Sequence, residues 1–159
     1  MSNEAGIRFS IKTVFDEAQL KAMVSKLPEA KKVANRQAGF AILEDVGDRF
    51  ENQGSPPAKW KPLAPKTLKA INRKYGPGPH MILNRNGTLK NSWMVGDAEN
   101  VFKVGVNQVV VGTKLIYAAP HQFGWEDKNI PARPMAVPPE ESPELLSKLE
   151  RIYGALLQV

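Results

Sequence analysis

The sequence predicts an α+β fold. An antiparallel sheet of roughly three to five strands packs against a long helix and a C-terminal helix, with a long basic Pro/Gly-rich loop between them. Three observations predict it. Residues 28–52 carry apolar side chains at helical spacing, residues 101–112 hold two Val-rich runs around a polar pair, and residues 145–157 return to helical spacing.

The elements follow in order. Ile7-Arg8-Phe9-Ser10-Ile11 alternates apolar and polar residues, the period of a half-buried strand. Asp16 reads as a helix N-cap, with Gln19 at the reciprocal capping-box position and Phe15 placed to staple onto Leu20. Leu20, Met23, Val24 and Leu27 then make one short amphipathic helix, and Pro28 suits the first turn of the next. That second helix runs over residues 28–52, roughly 36 Å at 1.5 Å per residue. Its stripe is Val33, Phe40, Leu43, Val46 and Phe50, widened by Ala34, Ala38, Ala41 and Ile42. It is expected to be the spine of the core and to cover the sheet; the alternative is that part of the stripe meets a partner subunit.

From residue 54 to residue 87 the pattern changes, with six of the thirteen prolines, at 56, 57, 62, 65, 77 and 79. Gly76-Pro77-Gly78-Pro79 cannot continue a helix or a central strand. Residues 65–71 are expected to form a helical turn or two, and Trp60 and Leu63 either pin this insert to the body or await a partner. Asn86-Gly87 favours positive φ and leads into a short helix or strand. Residues 101–106 and 109–112 form a hairpin about the turn Asn107-Gln108. Residues 115–123 are a short helix if Pro120 sits early in it, and Gly124 is its stop. Residues 131–139 hold four prolines and read as an extended arm. Ser142-Pro143-Glu144 then opens the amphipathic terminal helix as N-cap, first-turn proline and acid facing the helix dipole.

The bulk composition narrows the classes. At 159 residues, 42% hydrophobic and 24% charged, a single domain with a real core is the default, so residues 1–159 are taken as one unit with a mobile insert at about 54–87. There is no cysteine, which excludes disulfides, thiol nucleophiles and thiolate metal sites. No apolar run has membrane-span length, and Met1-Ser2-Asn3-Glu4-Ala5 lacks the regions of a signal peptide, so a cytoplasmic location without a membrane partner is expected. Of 22 basic and 16 acidic residues, residues 51–92 hold eight and one, leaving 14 and 15 elsewhere, so essentially all the excess positive charge lies in that segment. Such a patch attracts nucleic acid or an acidic protein surface.

The parts of an enzyme are missing. His80 and His121 have no metal-ligand spacing around them, and His121 is the one candidate base for a hydroxyl nucleophile, without a Gly-x-Ser-x-Gly elbow. Gly76-Pro77-Gly78 places proline where a phosphate loop needs backbone donors. No catalytic, cofactor or metal residue is therefore assigned. Nucleic-acid binding has positive support in the basic segment with Trp60 and Tyr75 interleaved, but no reading helix accompanies it.

An ordered set of short motifs remains. These are Trp60-Lys61-Pro62-Leu63 with Thr67-Leu68; Ile82-Leu83-Asn84 with Gly87-Thr88-Leu89 and Ser92; Val104-Gly105; and Val111-Gly112-Thr113. Tyr117-Ala118-Ala119 with His121-Gln122-Phe123-Gly124 follows, and Ile130-Pro131-Ala132-Arg133-Pro134 closes the set. The set resembles the phage virion morphogenesis, or tail completion, family of Mu-like and P2-like tailed phages, over roughly residues 28–158. The resemblance implies a non-enzymatic structural protein of a phage or prophage, acting at tail completion or head–tail joining as a ring-forming subunit, hexameric in related neck proteins. Its partners would be copies of itself and other neck or tail proteins, with non-specific DNA contact open. Its place would be the host cytoplasm during assembly and then the virion. On this reading Lys59, Trp60, Lys61, Lys66, Lys69, Arg73 and Lys74 form a basic loop facing DNA or a partner. Tyr117, His121, Gln122 and Arg133 form an interface or structural motif, with Arg133 suited to bidentate pairing across an interface or to an intrachain salt bridge, and His121 and Gln122 as polar partners fixing the short helix to the sheet. The alternative function is a basic nucleic-acid-binding protein; a hydrolase built on His121 ranks third.

Overall fold

The computed structural model describes residues 17–54 and 59–158. The expected strand at residues 7–11 and the Asp16 cap lie outside them. One helix dominates. α1 runs unbroken over Glu17–Glu51, 35 residues, with Pro28 inside it, so the two helices expected on either side of Pro28 are one rod of roughly 52 Å. The proline removes one main-chain donor, but the turns on both sides hold the helical path.

α2 (Pro65–Tyr75) and the single turn α3 (Thr88–Asn91) follow, then strands β1 (Asn100–Val104) and β2 (Val109–Thr113). α4 (Ala118–Phe123) and α5 (Pro143–Gly154) complete the chain with short 3-10 turns between and after them. Among the described residues the sheet has two antiparallel strands, in register from Asn100↔Thr113 to Val104↔Val109, rather than three to five. Beyond the hairpin a single isolated bridge pairs Trp125 with Ile130. The proline-rich arm supplies too few backbone donors to extend the ladder.

α1 covers the hairpin closely because its contact face is made of small residues. Ala34, Ala38 and Ala41 are buried at i, i+4, i+7 spacing. Gly39 lies so near the sheet that a Cβ there would fall 2.7 Å from Phe102 Cε2 and 2.8 Å from Val109 Cγ2. The larger apolar residues of the expected stripe divide: Val46 and Phe50 are fully buried, whereas Val33 is 56% and Phe40 49% exposed. Phe40 still stacks its ring on Phe102 at 5.0 Å.

Two polar hubs, one buried and one partly buried, fix α1 to its neighbours. Asn35 donates from Nδ2 to the carbonyls of Gly105 and Val106 at 2.9 and 3.1 Å, and its Oδ1 accepts from the Tyr153 hydroxyl at 2.8 Å. One side chain thus joins helix, hairpin and α5. Burial raises the Tyr153 hydroxyl above its ordinary value, which keeps it a donor. The second hub is Asp45, which accepts from Arg49 Nε at 2.8 Å and from Ser142 Oγ at 2.6 Å. Ser142 sits at the N-cap position of α5 but makes no side-chain cap bond; its hydroxyl goes to α1 instead.

The main core cluster gathers at the C-terminal end of α1, where Val46 and Phe50 meet Trp60, Leu89, Ala118 and Met135. Five separate stretches of chain contribute one or two side chains each, so the cluster closes the fold. Phe50→Ala should cost about 3–5 kcal/mol, read as a lowered urea midpoint with an unchanged slope.

Candidate interaction surface

The insert after α1 is built around Trp60. Its ring is 6% exposed, meets Phe50 edge-on at 5.4 Å, and donates from Nε1 to the Pro134 carbonyl at 2.9 Å. Of the two roles open to Trp60, the structure places it inward, as the pin. Arg133 completes the joint. It is 5% exposed and donates from Nε to the Lys61 carbonyl at 2.8 Å and from Nη2 to the Pro62 carbonyl at 3.0 Å. Its partners are main-chain oxygens rather than the carboxylate of an intrachain salt bridge. Burial lowers the guanidinium from its ordinary value, yet an arginine stays cationic throughout. Two extended stretches are thereby bound face to face, each proline-flanked.

Gln122 closes the other side. Its Oε1 accepts from the main-chain N–H groups of Met135 and Ala136 at 2.8 and 3.2 Å, and its Nε2 donates to the Ala136 carbonyl. It ties α4 to the proline arm rather than to the sheet. His121 contributes its backbone carbonyl, which accepts from Arg133 N at 2.7 Å. Its Nδ1 is buried without a hydrogen-bond partner, and burial, with Arg133 close by, holds the ring below its ordinary value. The ring is therefore neutral near pH 7. No acid orients it, and among the described residues no group of three or more His, Asp or Glu is placed to hold a metal.

Outside this joint lies an open groove of about 1130 Å³, walled by Pro62, Leu63 and Ile71 on one side and Tyr117, His121 and Arg133 on the other. Tyr117 is exposed at its lip. Above it stands α2, eleven residues rather than a turn or two. Pro65 occupies its first turn, where the missing N–H costs nothing, and Gly76 ends it at φ 85°. Ile71 faces inward and is buried. Lys66, Lys69 and Arg73 fall at i, i+3 and i+7 on the opposite side, one exposed cationic stripe. Lys74 lies beside the stripe, 5.2 Å from the Tyr75 ring centroid. Lys59 and Lys61 are exposed at the foot of the insert, Lys59 bonding back to the Asn52 carbonyl. Six of the seven residues expected on the basic loop are thus outward-facing and one, Trp60, is core. The sequence reading missed the hub residues Asn35 and Asp45; no local pattern marks them, because their hairpin and α5 partners lie 70 to 118 positions away.

Removing the Arg133 guanidinium leaves two inward main-chain oxygens unmatched. Arg133→Met is expected to cost about 3 kcal/mol, with Arg133→Lys failing to restore it because an ammonium lacks the fork; urea titration checks both. His121 sets a pH response. The unfolded chain takes up the imidazole proton more readily than the folded one. The stabilisation is therefore complete above the ordinary histidine value and is lost as pH falls through it towards the lowered folded value. As pH falls through the ordinary histidine value of about 6.5 the Tm should fall, and His121→Asn should flatten that segment of the curve.

A protein of the archaeon Methanocaldococcus jannaschii, itself described as uncharacterized, is 31% identical over 113 residues, 69% of this chain and 78% of that protein. No solved structure matches the chain. The profile of the phage virion morphogenesis family matches residues 11–151, nearly the whole length. The chain belongs to the phage virion morphogenesis family.

Proposed function

We propose that this protein is a structural, non-enzymatic subunit of virion assembly that acts at tail completion or head–tail joining, as one member of a ring. The observation that supports the reading is the use made of the motif residues. Trp60, Gln122 and Arg133 spend their hydrogen-bonding groups on main-chain atoms of their own chain. The one imidazole among them faces a cation rather than an acid. Residues committed in this way shape a surface and fix its geometry, which suits a part that fits against neighbours.

In this reading α2 presents the contact. Its Lys66–Lys69–Arg73 stripe, with Lys59 and Lys61 at its base, addresses an acidic rim on a neck or tail component. The subunit is made in the host cytoplasm and ends in the virion. No helix among the described residues is long and apolar enough to cross a membrane. A second reading, non-specific binding of nucleic acid, is favoured by the same stripe, since cations along one helix face can follow a phosphate backbone.

Changing Lys59, Lys61, Lys66 and Lys69 together to Glu should leave the far-UV circular dichroism intact, since all four are exposed. In complementation of a phage lacking this protein, the variant should give micrographs with unjoined heads and tails where the wild type gives complete particles. Normal particles from the variant would remove the basic face from the mechanism. Normal particles without the protein at all would remove the assembly role. Tight DNA binding by the wild type that weakens steeply with salt would favour the second reading.

A further inference from the structure

α1 begins with an exposed stretch. Further along it is tied to the hairpin by Lys31, which donates to Asn107 Oδ1 at 2.8 Å, and by Asn35 on the turn carbonyls. Before them every side chain from residue 21 to residue 29 is exposed. This arm is nevertheless not polar all round. Met23, Val24 and Leu27 are 37%, 60% and 46% exposed and fall within a stripe about 100° wide, the width of a helix face that packs against something. Lys26 borders it, and the exposed Glu29 lies on the opposite side of the helix.

A second apolar surface stands at the other end of the molecule. α4 is anchored by Ala118 in the cluster around Phe50, roughly 35 Å along α1 from Leu27. Around it Ile116 is 90% exposed, Phe123 78%, Trp125 45% and Tyr117 43%. The three aromatic rings alone leave roughly 350 Å² in water, within the range of the largest apolar patch on a typical monomer, which is often functional. Glu126 and Asp127 follow directly, and Lys128, over the Trp125 ring at 5.9 Å, offsets one of those charges. The tip keeps a net negative charge.

We propose that these two faces are the halves of one contact between copies of this chain: the apolar, lysine-bordered arm of α1 seats on the aromatic, acid-edged tip formed by α4 and residues 125–127 of the next copy. This rests on the ring-forming reading above and names the surfaces that would make it. The charges are opposite across the contact. Pairing either face with itself would set lysine against lysine or acids against acids. The two faces stand roughly 35 Å apart along one continuous helix, so one molecule cannot satisfy both internally. A contact between unlike faces repeats head to tail and closes into a ring when its rotation divides a full turn. The tip supplies near half of the roughly 800 Å² per partner that a stable contact buries, with Ile116 and the charged edge beyond that.

Two exposed substitutions test it, Leu27→Glu on the arm and Phe123→Glu on the tip, followed by sedimentation velocity and circular dichroism. The wild type should form a multimer at high protein concentration, and each variant should be a folded monomer. Mixed one to one, the variants should form a heterodimer and stop, because the intact tip of one meets the intact arm of the other and no further site remains. Should either glutamate disturb folding, Val24→Ser and Ile116→Ser carry the same mixing test. A wild type that stays monomeric, variants that assemble like the wild type, or a mixture that stays monomeric would each overturn the contact. The assembly reading would still stand on its own complementation result.

Discussion

The joint between residues 60–62 and residues 133–134 holds this small domain in its shape. Arg133 donates twice into the carbonyls of Lys61 and Pro62, and Trp60 donates back to Pro134. Neither stretch can join a sheet, since prolines punctuate both, so their main-chain oxygens would otherwise face each other without donors. A guanidinium with its fixed fork is the side chain that fits such a place. The joint sets Trp60 against Phe50, and Ala118 of α4 packs into the same cluster at the end of α1. The groove and the stance of α2 both follow from it.

A two-stranded ribbon for a sheet needs support of its own. An isolated hairpin is marginal in water. Here α1 lies across it at a glycine and a row of alanines, while Asn35 satisfies the carbonyls of the turn. The hairpin is therefore stabilised from the helix side. α5 reaches the same helix through Tyr153 at one end and Ser142 at the other. A long helix, a ribbon and a short helix make one compact layer, and the proline arm with its joint makes the second.

Much of the fold was legible in the sequence because it is set by local pattern. The hairpin, with its turn at Asn107-Gln108, the end of α4 at Gly124 and the terminal helix were all written in short-range spacing. The family was legible through an ordered series of motifs rather than through any one of them. Three features were not legible, for physical reasons. Pro28 reads as a boundary, but a proline in a solvated stretch of a long helix costs one rung without ending the rod. Val33 and Phe40 read as core, but the face chosen is the one whose alanines permit closest approach. Arg133 reads as a cation seeking an acid, and only the folded chain reveals two bare carbonyls opposite it.

The proline within α1 has a mechanical meaning. The rung it deletes lies just ahead of Lys31, the first residue of the rod that is tied to the hairpin. Bending stress on the outer segment therefore concentrates at that gap and is dissipated there. The Asn35 hub and the packed far end at Phe50 lie beyond that gap, so a bend there leaves the form of the body unchanged.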